Sequence, residues 1–502
     1  MGKLTVIGAG LGGMSAAIAG ADAGLDVTLV EKGSRVGGAA AYSGGQVWIG
    51  GNHVAKRLGL DDDVEATLEY VRHVAACDET SLNRELARHW LEAAVEAARY
   101  FEEQDVIAWD VIPDYPDYYY PDLPGSRPAG RYLTATFDGK LLGEHRALLN
   151  VSPHFPVGMT YAEMFSFGGV SNRTEFDWSL VERRRADDIL TFGTGIAGAF
   201  LKGVIDRNVT LLTNHRAVEL IAEDGRVVGV RCTGPDGDVE LPGPVILATG
   251  AHDWSPELTA TFTGIPPEDG GSVAPEWIAG DAIGLVAKVG GVVAAMPAWA
   301  APVLPGYKLA QPAFDGDTGF RACYEHCLPH TFLVNRAGER FCDDSFHSRI
   351  VAAALEPDAD GKPKNLPIFM IWDSRHHQRY GLGATMPGEP YPAGLVVEAP
   401  TLAGVAEQLG VDPHGLERTA ARFNEHAVNG EDPDFGRGSN LSVRRFRGDN
   451  THTPNPCVGP VSEPPFFGMR IRLLNTGIAA AGLRAGRCGR VEREDGSTIE
   501  GL

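Results

Sequence analysis

Cysteine is scarce and unpaired in number: seven residues scattered over 502 positions, with no Cys-x-x-Cys-His run and no cluster. That excludes a disulfide framework, attached haem and an iron–sulfur centre, and predicts reduced thiols. Cys323 and Cys327 have no second pair to complete a zinc site, and the His376-His377 rings point to different sides of any regular element, so no metal is expected. Long apolar runs are also missing, which argues against a membrane span. The first strand-like run starts at Leu4, leaving no room for a signal peptide, and Val6 stands where an acylation signal wants Ser or Thr; a cytoplasmic location is expected. Basic residues are in deficit, 44 Lys and Arg against 66 acids, for a net charge of −22, so nucleic acid is not an expected partner. The one basic knot, Arg444-Arg445-Phe446-Arg447, reads as a solvated face.

Glycine, by contrast, is abundant and placed with a purpose at the start of the chain. The apolar run Leu4 to Ile7 enters Gly8-Ala9-Gly10-Leu11-Gly12-Gly13, a helical stretch follows from Met14 to Ala23, and a second apolar run ends at Glu31. Gly8 permits the turn, Gly10 lets backbone approach a diphosphate, and Gly13 lets the helix pack on the strand; the helix N-terminus supplies free NH groups and positive potential. Glu31 lies where a carboxylate accepts the adenosine ribose hydroxyls and repels a 2′-phosphate, so FAD or NAD is favoured over NADP. A second match, Gly193-Thr-Gly195-Ile-Ala-Gly198, precedes a helical stretch and a strand that ends without a carboxylate. It reads as an ordinary helix start.

After Glu31 and Lys32 the chain runs through Gly37-Gly38-Ala39 and Ser43-Gly44-Gly45 with hardly a large side chain, suiting backbone that lies against a flat ligand. This loop resembles the second signature of FAD proteins in the fumarate reductase and succinate dehydrogenase superfamily. The resemblance implies FAD. No histidine lies between Glu31 and Gly45, so the attachment is expected to be non-covalent. Helical spacing is present from 64 to 76 and from 81 to 103, and a hairpin pattern runs from Arg216 to Val239. The strand end Ala248-Thr249-Gly250, the helix start at Asp281, and Ala217 with Val218 extend the set of cofactor contacts that the resemblance implies.

Four further segments narrow it: Asp117-Tyr118-Tyr119-Tyr120-Pro121 with Gly125 and Gly130-Arg131; Pro329 to Asn335 with Gly338-Glu339-Arg340-Phe341; Asp434 to Gly438; and Pro464-Pro465-Phe466-Phe467. In this order they resemble the FAD-dependent 3-ketosteroid dehydrogenases. The resemblance implies that a tyrosine, Tyr119 or its neighbour Tyr118, handles a proton while hydride leaves the adjacent carbon for flavin N5, with Tyr324 as a second pocket tyrosine. A phenol suits proton relay when its surroundings tune it. Where that family has a tyrosine to grip the keto oxygen, this chain has Phe467. Asn475 or Thr476 is the expected replacement donor, and Trp299 contributes to an apolar pocket. Arg349 lies one position from where a fumarate reductase arginine would be, and Asn475-Thr476 replaces the histidine region of those enzymes, so a dicarboxylate clamp is missing. Relatives continue past Leu502 with a tyrosine-containing strand and a glycine-rich turn; either this is a portion of a longer chain or FAD is held less completely.

The expected fold is α/β: a Rossmann-like FAD-binding domain (1–293 and a return segment 454–502) with an inserted α+β substrate or cap domain (294–453). The expected enzyme is an FAD-dependent oxidoreductase that moves hydride between flavin and a carbon near the carbonyl of a bulky alicyclic, 3-ketosteroid-like substrate, electrons passing to an external acceptor such as a quinone, a flavoprotein or oxygen. The competing readings are a fumarate-reductase-like or other enone reductase and a flavin-fold protein that binds a ligand without turnover.

Overall fold

The computed structural model describes residues 2–75, 84–155, 158–169, 171–296, 303–313 and 317–502. Trp299, expected in the pocket, lies outside the described residues, as do the ends of the two helical stretches that face each other across 76–83.

Four parallel strands form the first sheet in the order Val245–Leu247, Lys3–Ile7 (β1), Asp26–Val30 (β2) and Thr210–Leu212. Because β1 has a partner strand on each edge and packing on both faces, four of its five residues are buried, which is why it reads as a continuous apolar run and not as an alternation. The helix Leu11–Asp22 (α1) connects β1 to β2 and lies close against them. Its Gly20 makes this closeness possible, since a Cβ there would stand 2.8 Å from Leu4 Cδ2. The short helix Gly38–Tyr42 (α2) and α1 both rest on the buried helix Phe192–Asp206, which begins earlier than the sequence suggested. The second glycine motif is therefore a packing surface: a Cβ on Gly193 would come within 1.9 Å of the Ala40 carbonyl oxygen.

The hairpin pattern becomes a three-stranded antiparallel sheet, Arg216–Glu223, Arg226–Gly234 and Gly237–Pro242. A further, seven-stranded sheet is built around the ten-residue strand Phe466–Asn475, which pairs with Ile368–Asp373, Leu304–Lys308, Gly270–Ser272 and Val397–Ala399. The expected boundary at 454 falls ahead of this strand. The segment after 454 first completes this sheet and turns back beyond Asn475, where Ala481–Leu483 pairs with Val293–Ala295 and the Gly501 carbonyl accepts from the Val245 NH. The packing explains it: Met469, Ile471, Leu473 and Leu474 are among the most buried residues of the chain, with Met469, Ile471 and Leu473 in one apolar core with Met370 and Trp372. Among the described residues, no helix is long and apolar enough to cross a membrane.

Candidate active site

The first sheet positions a cofactor cradle at the carboxyl ends of its strands. Gly8, at φ +103°, makes the turn out of β1, and a Cβ there would stand 2.3 Å from the Ala248 carbonyl oxygen, so the two strand ends touch through glycine. Gly13 is equally confined, with its would-be Cβ 1.7 Å from the Gly8 oxygen. Gly10 and Gly12 differ, because a Cβ on Gly10 meets only Gly38 Cα at 3.8 Å and one on Gly12 meets nothing within 4 Å. Glycine at these two positions keeps open a space at the N-terminus of α1, whose N-cap Gly10 offers no side-chain acceptor to the first-turn NH groups. An anion is the natural partner for such a terminus.

Glu31 closes the other end of this space. Its carboxylate accepts from the Ala9 NH at 2.9 Å and the Gly33 NH at 2.8 Å, and burial raises its pKa against those two hydrogen bonds. Lys32 pairs with Asp281 at 2.6 Å, and Asp281 also receives Arg216 at 3.0 Å. The Thr249 hydroxyl oxygen, beside Gly250, is shielded from solvent without a hydrogen-bond partner. Ala217 is buried and Val218 exposed on the adjoining hairpin sheet. An open glycine gap at a helix terminus, a half-buried carboxylate at the end of β2 and an orphaned hydroxyl after the neighbouring strand fit a dinucleotide.

The cradle continues through the small-residue loop. Gly37 donates to the Ala9 carbonyl at 2.8 Å, which lays the Gly37-Gly38 turn beside Gly10. Ala39 lies against Gly477, where a Cβ would approach Ala39 Cβ to 2.3 Å. The Ser43 hydroxyl accepts from the Gly45 NH at 3.1 Å, and the Gly44 carbonyl accepts from the Tyr161 hydroxyl at 2.7 Å. Asp253, which the sequence reading missed, receives the Ser272 hydroxyl and the Gly477 NH, both at 2.7 Å, and so pins the turn after Asn475-Thr476 over this loop. Asn475 is itself buried at the end of its strand.

From Tyr161 an aromatic path leads away from the loop: Tyr161 to Tyr115 (centroids 6.3 Å), Tyr115 stacked on Phe446 (3.9 Å) and Tyr115 against Tyr132 (4.6 Å), and Tyr132 to Tyr118 (6.4 Å). The Tyr118 segment is fixed by a buried ion network. Arg131 bonds Asp62 at 2.8 Å and Asp117 at 2.8 Å, while the Trp48 indole NH donates to Asp117 at 2.8 Å. Asn440 donates to the Tyr118 carbonyl at 2.8 Å.

The structure separates the two competing tyrosines. Tyr118 packs on His347 and Phe346 and lies within electrostatic reach of the guanidinium of Arg447, which stands 4.9 Å from the Tyr324 ring centroid. Tyr119 instead lies against Phe346, with its NH toward the Tyr70 hydroxyl. Burial raises the Tyr324 pKa, and Arg447 pulls the other way. Arg447 departs from the solvated face read in the basic knot. Arg445 is exposed as the basic knot predicted, but the short helix Leu441–Phe446 turns Arg447 inward, where its Nη1 is closed to solvent and has no hydrogen-bond partner.

Phe467, where the family that the sequence resembles has its keto-gripping tyrosine, packs in the interior. It is a core residue, 3 % exposed, stacked on Trp372 across the strand pair and flanked by His377 and Tyr391. Its ring contacts include none of the three tyrosines, so its missing hydroxyl takes nothing from them. Phe467→Tyr, which would add a keto-gripping group if this position faced substrate, is instead expected to lower stability by about 1–3 kcal/mol through a buried hydroxyl and to leave the rate of flavin reduction unchanged. Urea unfolding and stopped-flow absorbance check the two halves.

The chain matches the FAD binding domain family over residues 4–502. It is 30% identical to a 4-oxocyclohexanecarboxylate 2-dehydrogenase of Sinomonas cyclohexanicum, over 99% of this chain and 86% of that one. It is 28% identical to a 3-oxosteroid 1-dehydrogenase of Mycobacterium tuberculosis, over 99% and 91%. Among solved structures, the 3-ketosteroid delta1-dehydrogenase of Sterolibacterium denitrificans, in complex with 1,4-androstadiene-3,17-dione, superposes with a TM-score of 0.87 at 26% identity, covering 100% of this chain and 93% of that one.

Proposed function

The chain belongs to the FAD binding domain family and is an FAD-dependent oxidoreductase, and from that premise we propose that it dehydrogenates a saturated or partly saturated ring ketone across the bond between the α- and β-carbons beside the carbonyl. The observation that carries this reading is the aromatic path from the Gly44–Gly45 loop to Tyr118, Tyr324 and Arg447. The relatives' substrates, from a single cyclohexanone ring to a 3-oxosteroid, share that reacting unit.

The bound flavin supplies a hydride acceptor at N5. The side chains supply the rest. Burial keeps the Tyr324 phenol protonated, so it donates a hydrogen bond to the ketone oxygen and makes the α-hydrogens more acidic. Tyr118, reacting as the phenolate, takes the proton leaving the α-carbon and becomes the phenol, and Tyr115, Tyr132 and Phe446 keep water from the ring. Electrons then pass to an external acceptor, a quinone, another flavoprotein or oxygen, and a cytoplasmic location is part of the proposal.

Anaerobic titration of the holoprotein with ring ketones tests it. The flavin band near ~450 nm is expected to bleach on addition of a ring ketone and to be unaffected by succinate. A flavin that stays oxidised with every ring ketone, or that succinate bleaches, overturns it.

A further inference from the structure

Resting on the ring-ketone reading above, we propose that Arg447 is a substrate-recognition residue that pairs with a carboxylate carried by the ring, so that the preferred substrate is an alicyclic keto acid and not a neutral sterol-like ketone. Four other buried or part-buried arginines each face an acid: Arg131 meets Asp62 and Asp117, Arg340 meets Asp432, Arg437 meets Asp344, and Arg173 meets Glu325. Arg447 has no such partner among the described residues, and its Nη1 is closed to solvent without any hydrogen bond.

The groups that act most strongly on it are the Cys327 thiol and the phenols of Tyr118, Tyr324 and Tyr115, and it acts in turn on His347; no acid is among them. The thiol is pushed up to about 12 by burial, and burial and Arg447 together hold His347 well below its ordinary value, so both are neutral near pH 7. Asp449, two residues along, is turned away onto Arg379 and Tyr380. A guanidinium is charged at any working pH. A buried cation among neutral groups is costly until an anion reaches it, and a planar fork of donors beside a carboxylate gives that anion a fixed orientation. The guanidinium lies 4.9 Å from the Tyr324 ring centroid and within electrostatic reach of Tyr118, so a carboxylate held here places its ring beside Tyr324, on the side of the pocket that Tyr118 shares.

The test uses holoprotein and two ligands that cannot be oxidised at a ketone, cyclohexanecarboxylate and its methyl ester, with Kd read from perturbation of the flavin spectrum. Wild type is expected to bind the acid more tightly than the ester. Arg447→Gln is expected to weaken the acid roughly 10- to 100-fold and to leave the ester unchanged. Arg447→Lys, which keeps the charge, retains a preference for the acid and serves where the glutamine variant does not fold. Equal weakening of both ligands would mean that the guanidinium serves the ketone end or the flavin, and would overturn the proposal, as would a wild type that prefers the ester. If the acid binds through Arg447 while 4-oxocyclohexanecarboxylate leaves the flavin oxidised, the recognition site stands and the dehydrogenase reading falls.

Discussion

Gly10→Val yields a folded protein that purifies without flavin. The backbone at Gly10, φ −77° and ψ −176°, is extended and open to any residue, and the nearest atom to an added Cβ is Gly38 Cα at an ordinary 3.8 Å. A Cβ therefore strains nothing in the polypeptide. The valine methyl groups enter the space in front of the uncapped N-terminus of α1, where the first-turn NH groups and the helix dipole await a diphosphate. Loss of those contacts costs about 3 kcal/mol or more, which is at least ~100-fold in affinity. Gly13→Ala should behave differently. Its Cβ would stand 1.7 Å from the Gly8 carbonyl oxygen, so α1 must shift from β1 and the apoprotein melts lower as well. The ratio of absorbance near ~450 nm to that at 280 nm after gel filtration, with melting of each apoprotein against flavin-stripped wild type, separates the two. A Gly10→Val protein that keeps its full colour would place the diphosphate elsewhere.

The strand–turn–helix–strand unit around the glycines was legible because it is local. β1, the glycine turn, α1 and β2 are contiguous, and the distance along the chain from Gly13 to Glu31 is set by one helix and one strand whose lengths are fixed by the sheet they pack on. The substrate half was not local. Tyr118, Tyr324 and Arg447 come from three segments far apart in sequence, brought together by tertiary packing that no periodicity encodes. Arg447 follows a helix of only six residues, too short for a buried face to declare itself, and its neighbour Arg445 does point to solvent. A resemblance supplied the tyrosine segment, but its register was open between two adjacent residues. It also drew attention to Phe467 for a missing hydroxyl, while the partner of that residue across the strand pair is Trp372. The strand that carries Phe467 pairs on both edges in the middle of a sheet, a neighbourhood set by strands distant in sequence.

Tyr118→Phe is expected to lower kcat by ~10²–10⁴-fold, the usual contribution of a positioned proton-transfer group, while Tyr119→Phe changes it little. Both substitutions remove one oxygen and keep the ring, so packing on Phe346 survives in each and flavin content should match wild type. The difference lies in what each hydroxyl meets. Tyr118 is held at its carbonyl by Asn440 and beside it by the Arg131–Asp117 pair, and it acts electrostatically on Arg447, as Tyr324 does. Tyr119 has Phe346 and Tyr70 for neighbours. Stopped-flow bleaching under anaerobic conditions isolates the chemical step. Loss of proton transfer slows it while the substrate concentration at half-maximal rate stays near wild type, because the hydroxyl contributes to the transition state more than to ground-state binding. A collapse of that rate in Tyr119→Phe with Tyr118→Phe near normal would reverse the register and leave Tyr118 as a wall of the pocket, with Arg447 then orienting substrate toward a different phenol.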